Sequence, residues 1–228
     1  MAETWNILQS GECEPAWNMA VDEALLACAR DAAIPVLRFY DWTEPAATFG
    51  YFQKHSEIER VTELRPLIRR PTGGGLVPHD NDWTYSVAIP PAHAWFSLKA
   101  VESYQRIHEW LKGAFAAIGV ETELAPCCQT EGPGQCFVGA EQFDLLLGGR
   151  KLAGAAQRRT KSGLLIQGSI QPEELIVKRR DWEEAMRRAA SDAWSVDWAE
   201  FPDPESLQAA AAELVRMKYG AAEFNRRR

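Results

Sequence analysis

The chain contains no run of about 18 apolar residues, so nothing in it reads as a membrane-spanning helix. Its opening, Met1-Ala2-Glu3-Thr4-Trp5, lacks the basic start and apolar stretch of a secretory signal, and the expected compartment is the cytoplasm. Cysteine is scarce: Cys13, Cys28, Cys127, Cys128 and Cys136 are odd in number and follow no framework spacing. In a reducing compartment these are expected to be thiols. Basic charge is also short. With 25 Lys and Arg against 32 Asp and Glu, a net charge of −7 argues against nucleic acid as the main partner. The four histidines (His55, His79, His93, His108) all precede the Cys127-Cys128-x7-Cys136 set, so the second half of a structural zinc site is missing and no metal is expected. No internal repeat or low-complexity tract occurs.

What is present is the balance of an ordinary globular protein, 46% hydrophobic and 25% charged over 228 residues. That length buries a core without cross-links and fits one domain spanning residues 1–228, with a helical segment over 172–228. The nine tryptophans are dispersed along the chain, and packing accounts for most of them.

Periodicity predicts a strand over Thr4 to Leu8, then a helix from Pro15 to about Arg30 with Trp17, Val21, Leu25 and Cys28 on one side. Pro35 to Trp42 and Ala46 to Phe52 read as two strands joined by a turn at Thr43-Glu44-Pro45. Further strands are expected at Leu67 to Arg70, Trp83 to Ile89, Val120 to Leu124 and Gly163 to Ile170. Ser97 to Ile118 carries the clearest helical stripe, stopped by Gly119. Phe143 to Leu147 and Lys151 to Gln157 suggest a hairpin turning at Gly148-Gly149. Helices near Asp181 to Ala190 and Pro204 to Tyr219 follow, and Arg226-Arg227-Arg228 reads as a frayed, solvated end.

Three segments carry potential chemistry. In Arg69-Arg70-Pro71-Thr72-Gly73-Gly74-Gly75-Leu76-Val77-Pro78-His79-Asp80, three glycines let the main chain approach a ligand closely, with N–H groups free to meet an oxygen. It is neither a Walker loop nor a dinucleotide fingerprint, because an apolar pair and a proline follow the glycines. A glycine-rich hairpin turn is the competing reading; the flanking arginines and His79-Asp80 favour the ligand-facing one. In Gly148 to Gln157, the small Gly154, Ala155 and Ala156 clear space beside Lys151, whose ammonium can meet an oxyanion or carboxylate. A solvated hairpin tip explains the same spacing. Cys136, before Phe137, is either a thiolate nucleophile able to carry an acyl thioester or a small buried apolar residue.

In this order the segments resemble the biotinyl/lipoyl protein ligase and transferase superfamily, with the nearest likeness to the cysteine-dependent octanoyltransferases that load the glycine cleavage H protein. The stretches that carry the resemblance are Trp17 to Leu26, Leu37 to Tyr40 with Thr48 to Gln53, Arg69 to Gly75 with His79-Asp80, Cys136-Phe137, and Arg150 to Gln157. The resemblance implies an α/β (α+β) fold: a mixed, largely antiparallel sheet flanked by helices, like the catalytic domains of biotin ligases and class II aminoacyl-tRNA synthetases. It further implies a tunnel for an extended acyl chain, with Gly73, Gly74 and Gly75 at its mouth. Cys136 would take the octanoyl group from octanoyl-acyl carrier protein, and Lys151 would hold the acyl carbonyl oxygen. Arg70, Thr72, His79, Gly154, Ala155 and Gln167 would complete the substrate site, and a lysine of the H protein or another lipoyl domain would be the acceptor.

Two departures stand out. Gln167, before Gly168-Ser169, occupies a place where relatives usually carry histidine; it hydrogen-bonds but cannot titrate. Val138 replaces the acidic residue expected after Cys-Phe. Transfer needs no cofactor. The alternative of ATP-dependent lipoate ligation would need ATP and Mg, with Lys151 and the glycine loop holding an acyl-adenylate. A third possibility is a catalytically silent acyl-binding protein of the same fold. Arg158, Arg159 and Lys161, or Lys178, Arg179 and Arg180, are either local docking patches or plain solvated charge.

Overall fold

The structure is a computed structural model that describes residues 2–127 and 139–227. Cys128, Gln135, Cys136 and Val138 therefore lie outside the described residues. β1 (Glu3–Cys13) leads into α1 (Pro15–Ala32), which Pro15 opens at the position where its missing N–H has no helical partner to lose. Then come β2 (Val36–Trp42), β3 (Ala46–Phe49), the one-turn α2 (His55–Ile58), β4 (Leu67–Arg69), β5 (Val77–His79) and β6 (Trp83–Ile89). After α3 (Ala100–Ala117) follow β7 (Glu123–Leu124), β8 (Leu145–Leu147), β9 (Arg150–Thr160) and β10 (Gly163–Ile170). The chain continues through α4 (Arg179–Trp194), β11 (Val196–Glu200), α5 (Pro204–Leu214) and α6 (Ala222–Arg226).

Among the described residues these strands form an eight-stranded sheet, ordered β11-β1-β2-β6-β10-β9-β8-β7, and a three-stranded sheet, β4-β3-β5. The large sheet is parallel at β11–β1 and β1–β2 and antiparallel elsewhere, so it is mixed and largely antiparallel. β10 is buried along its whole length because helices cover both faces. Leu164, Ile166 and Ile170 pack with α3 and α4 residues such as Leu111 and Trp182. Leu165 packs on the opposite face with Leu25 of α1 and Leu207 of α5.

The Gly148-Gly149 hairpin is as expected, with both glycines at positive φ (56° and 78°), the geometry a two-residue hairpin loop demands. Several expectations are corrected. β2 and β3 are not a hairpin: they belong to different sheets, because Thr43-Glu44-Pro45 carries the chain from one to the other. The strand expected from Val120 begins only at Glu123, and α3 starts at Ala100 after a separate 3-10 turn over Ala94–Ser97. β11 has exposed positions that mask its pattern, and its pairing comes from the edge of β1. Tryptophans dispersed in sequence meet in space, where Trp95, Trp110, Trp194 and Trp198 all pack around Trp5.

The arginine-rich end is not frayed up to Arg227. Buried Arg69 donates to the carbonyls of Phe224, Asn225 and Arg227, and Asn225 Oδ1 accepts from the Arg69 N–H at 2.8 Å. The charge that pattern reading assigned to solvent instead stacks, with the Arg227 guanidinium 4.4 Å from the Tyr51 ring centroid.

Where α1 crosses the sheet, Asp22 is completely buried. One oxygen accepts from Arg38 (2.7 Å) and Ser86 (2.6 Å), the other from Tyr40 (3.0 Å) and Gln167 (2.7 Å). Burial and the neighbouring Asp22 carboxylate push the Tyr40 phenol well above its ordinary range, so it remains a donor. Asp22→Leu strands a buried guanidinium and is expected to cost about 3–5 kcal/mol in urea unfolding. A loss below about 1 kcal/mol would contradict the pairing described.

Candidate active site

The two sheets and α1 border a cavity of about 880 Å³. Met19, Tyr40, Thr48, His79, Thr84, Ser169, Tyr104, Lys151, Gly154 and Ala156 line it. Arg70, Gly74, Gly75, Ala155 and Gln167 also face it, so most of the residues singled out from sequence come together. Thr72 and Gly73 do not line it. They stand behind, Thr72 donating to Gln167 Oε1 at 2.7 Å and the Gly73 carbonyl accepting from Arg70 at 2.6 Å.

The glycine loop is not a hairpin turn. β4 and β5 lie on opposite sides of β3, so the loop must cross the end of that strand. It crosses so closely that a Cβ on Gly50 would sit 1.9 Å from the Gly74 carbonyl oxygen. Arg70 organises the loop, its guanidinium donating to the carbonyls of Thr48, Gly73 and Gly75. Arg70 was expected to take part in substrate binding; it borders the cavity, and its guanidinium also holds the loop's own backbone.

Gln167 is the strut beneath the loop. Its amide nitrogen donates to Asp22 and its oxygen accepts from Thr72, so both ends are used. A side chain with a donor at one end and an acceptor at the other suits a place between a carboxylate and a hydroxyl.

His79, stacked on Trp42 at 3.8 Å, bonds through Nδ1 to Asp82 (2.9 Å) and through Nε2 to Thr48 (2.8 Å). A carboxylate only accepts, so Nδ1 carries the proton, and the Thr48 hydroxyl can then donate to Nε2. Asp82 also accepts from Thr84 and Ser169, tying this end of the cavity into one polar cluster.

Lys151 reaches the wall through a β-bulge. Leu146 pairs with Lys151 but Leu145 pairs with Ala153, leaving Leu152 as the extra residue. The bulge reverses the alternation, so Lys151 shares a face with Gly154 and not with Ala153. A Cβ on Gly154 would lie 2.8 Å from Lys151 Cε and 3.0 Å from Nζ, so the glycine leaves the lysine room to lie along its strand. The ammonium pairs with buried Asp144 at 2.7 Å. Tyr104 from α3 donates to the same carboxylate at 2.5 Å, and the Glu141 N–H does so at 2.7 Å. Phe143 sits at φ 71°, an unfavourable conformation for a bulky residue, in the tight turn that presents Asp144.

Asp22, Asp144 and Tyr104 were missed from sequence. Asp22 had a signal: it falls between Met19 and Leu26, inside the apolar face of α1. Asp144 and Tyr104 had none, since an acid after Phe143 and a tyrosine in a helical stripe are ordinary. Of the basic clusters, Arg159 donates to the Phe96 and Leu98 carbonyls, and Arg179 pairs with Asp41 and Glu183. Among the described residues no group of acidic, His and Cys side chains is arranged to hold a metal, and no helix is long and apolar enough to cross a membrane.

A glycine loop crossing the end of a strand, above a cavity with a lysine on its wall, belongs here to a catalytic domain of the lipoyl protein ligase type. The model for the lipoyl protein ligase A/B catalytic domain matches residues 14–172, and the chain belongs to that family. It is 38% identical over 183 residues to the octanoyltransferase LipM of Staphylococcus aureus, covering 75% of this chain and 66% of that protein. The match thus spans just under two thirds of that relative's length. Solved structures of lipoate protein ligases share the fold. A lipoate-protein ligase A bound with ATP superposes with a TM-score of 0.80 at 20% identity, covering 99% of both chains. The bipartite lipoate protein ligase of Thermoplasma acidophilum, described with its E2 lipoyl domain, gives 0.76 at 21% identity, covering 99% of this chain and 97% of that one.

His108 lies behind Lys151, fully buried, with Nδ1 bonded to the Tyr104 carbonyl. Burial pushes its pKa from 6.5 down to about 4. As pH falls through this window the unfolded chain takes up the proton first, and about 3 kcal/mol of stability is expected to disappear. Urea unfolding at neutral and acid pH should show that loss shrinking in His108→Gln; an equal loss in both proteins would contradict it.

Proposed function

We propose that this protein is an octanoyltransferase of lipoate assembly, acting in the cytoplasm without ATP or Mg. Octanoyl-acyl carrier protein is the donor, Cys136 the acyl acceptor, and a lysine of the glycine cleavage H protein or another lipoyl domain the final acceptor. The observation that carries this reading is Lys151, which stands on the wall of a cavity open to solvent on one side, with its ammonium set by a buried carboxylate. A cavity of about 880 Å³ is ample for an eight-carbon chain. Gly139, three residues beyond Cys136, lines that cavity. The naming of the Staphylococcus aureus relative as an octanoyltransferase agrees.

In the first step the Cys136 thiolate attacks the donor's thioester carbon. A new C–S bond forms, the carrier's C–S bond breaks, and the departing thiolate takes the proton that Cys136 lost. In the second step the acceptor's neutral amine attacks the Cys136 thioester. The C–N bond forms, the C–S bond breaks, and the amine's proton returns to the cysteine sulfur. Negative charge develops on the carbonyl oxygen in both steps, and the Lys151 ammonium is the donor placed to meet it. Gln167 performs no proton transfer in this scheme; it holds the loop over the chain.

Intact-protein mass spectrometry after incubation with octanoyl-acyl carrier protein tests the proposal. A hydroxylamine-labile octanoyl adduct is expected, absent from Cys136→Ala and formed at least about a hundredfold more slowly by Lys151→Ala. Acceptor modification that requires ATP and survives Cys136→Ala would establish a ligase instead. No adduct and no activity with either donor would indicate a silent binder.

A further inference from the structure

We infer that a second, smaller cavity beside Lys151 admits the acceptor's lysine side chain, so that the amine approaches the thioester from a different side than the acyl chain. The inference rests on the transfer reading above. This cavity, about 470 Å³, is lined by Pro78, Leu147, Arg150, Lys151, Glu173 and Glu174 among others. Lys151 lines both cavities and is the residue they share. On this reading the reacting carbon, held at Lys151, lies between the two spaces. With the larger cavity filled by the octanoyl chain, the smaller one offers the amine a route that does not cross it.

The charges fit a cationic visitor. Arg150 pairs with Glu174, and Lys151 pairs with Asp144. Glu173 has no cationic partner among the described residues, which leaves the groove one carboxylate in excess. That is the complement of a single lysine ammonium, on a stem whose methylenes can pass Pro78 and Leu147. Glu173 is exposed and sits at the rim, where it can gather the cation before the proton is shed to solvent and the neutral amine moves inward. Ile176, two residues beyond Glu174, is 100% exposed and gives the body of an acceptor domain an apolar contact beside the entrance.

The test separates the two half-reactions. Octanoylated protein is prepared from octanoyl-acyl carrier protein, isolated, and mixed with increasing concentrations of unmodified glycine cleavage H protein in single-turnover experiments. Glu173→Gln is expected to raise the half-saturating acceptor concentration about fivefold, and Glu173→Lys further, with the effect shrinking at high salt. Formation of the thioester and the limiting transfer rate should stay within about twofold of the parent, because Glu173 does not line the acyl cavity. An unchanged half-saturating concentration in both variants overturns the groove assignment while leaving acyl relay in place. Failure of the unsubstituted protein to form any thioester overturns the transfer reading, and this inference falls with it.

Discussion

The Asp22 carboxylate is the point on which the site depends. It is wholly buried, and a buried charge is tolerable only when every lone pair is met. Arg38, Ser86, Tyr40 and Gln167 meet them, coming from β2, β6 and β10. One carboxylate on α1 thereby fixes the helix to three strands. Through Gln167 and Thr72 it also fixes the start of the glycine loop. The loop's other restraint is Arg70, which holds the carbonyls of Gly73 and Gly75. Without these two sets of bonds, little would offset the conformational entropy that a run of three glycines loses on being held in one place.

A second carboxylate sets the position of Lys151. Asp144 is also buried, and it gathers Lys151, Tyr104 and the Glu141 N–H around one group. Three local departures from regular structure converge on it: the bulge at Leu152, the missing side chain at Gly154 and the left-handed backbone of Phe143. Each is unfavourable or neutral for folding taken alone. Together they lay a lysine along a strand with its ammonium on a cavity wall, which an unbulged strand would have turned to the other face.

Much of this was legible beforehand wherever the signal was local. β6 and β10 match the strands read from their apolar runs, and the two glycines announce the β8–β9 hairpin because only they take positive φ cheaply. Family resemblance pointed to Lys151 and to the glycine loop, though not to the exact set that faces the cavity, since Thr72 and Gly73 act from behind. Long-range pairing was not legible. β3 leaves the sheet of β2 because of where β4 and β5 end up, which no window of sequence contains. β11 owes its existence to the exposed edge of β1. The terminal arginines look like solvated charge until Arg69, far away in sequence, captures their carbonyls. Gln167 looked like the loss of a titrating group; the structure makes it a two-ended hydrogen-bond bridge.

The most direct measurement is a crystal structure of the octanoylated protein. The acyl carbonyl oxygen on Cys136 is expected within about 3 Å of the Lys151 ammonium, with the hydrocarbon chain passing beneath Gly74 and Gly75 towards Met19 and Tyr40. An octanoyl group that points away from the cavity, with Lys151 making no contact to it, would contradict covalent relay at this site.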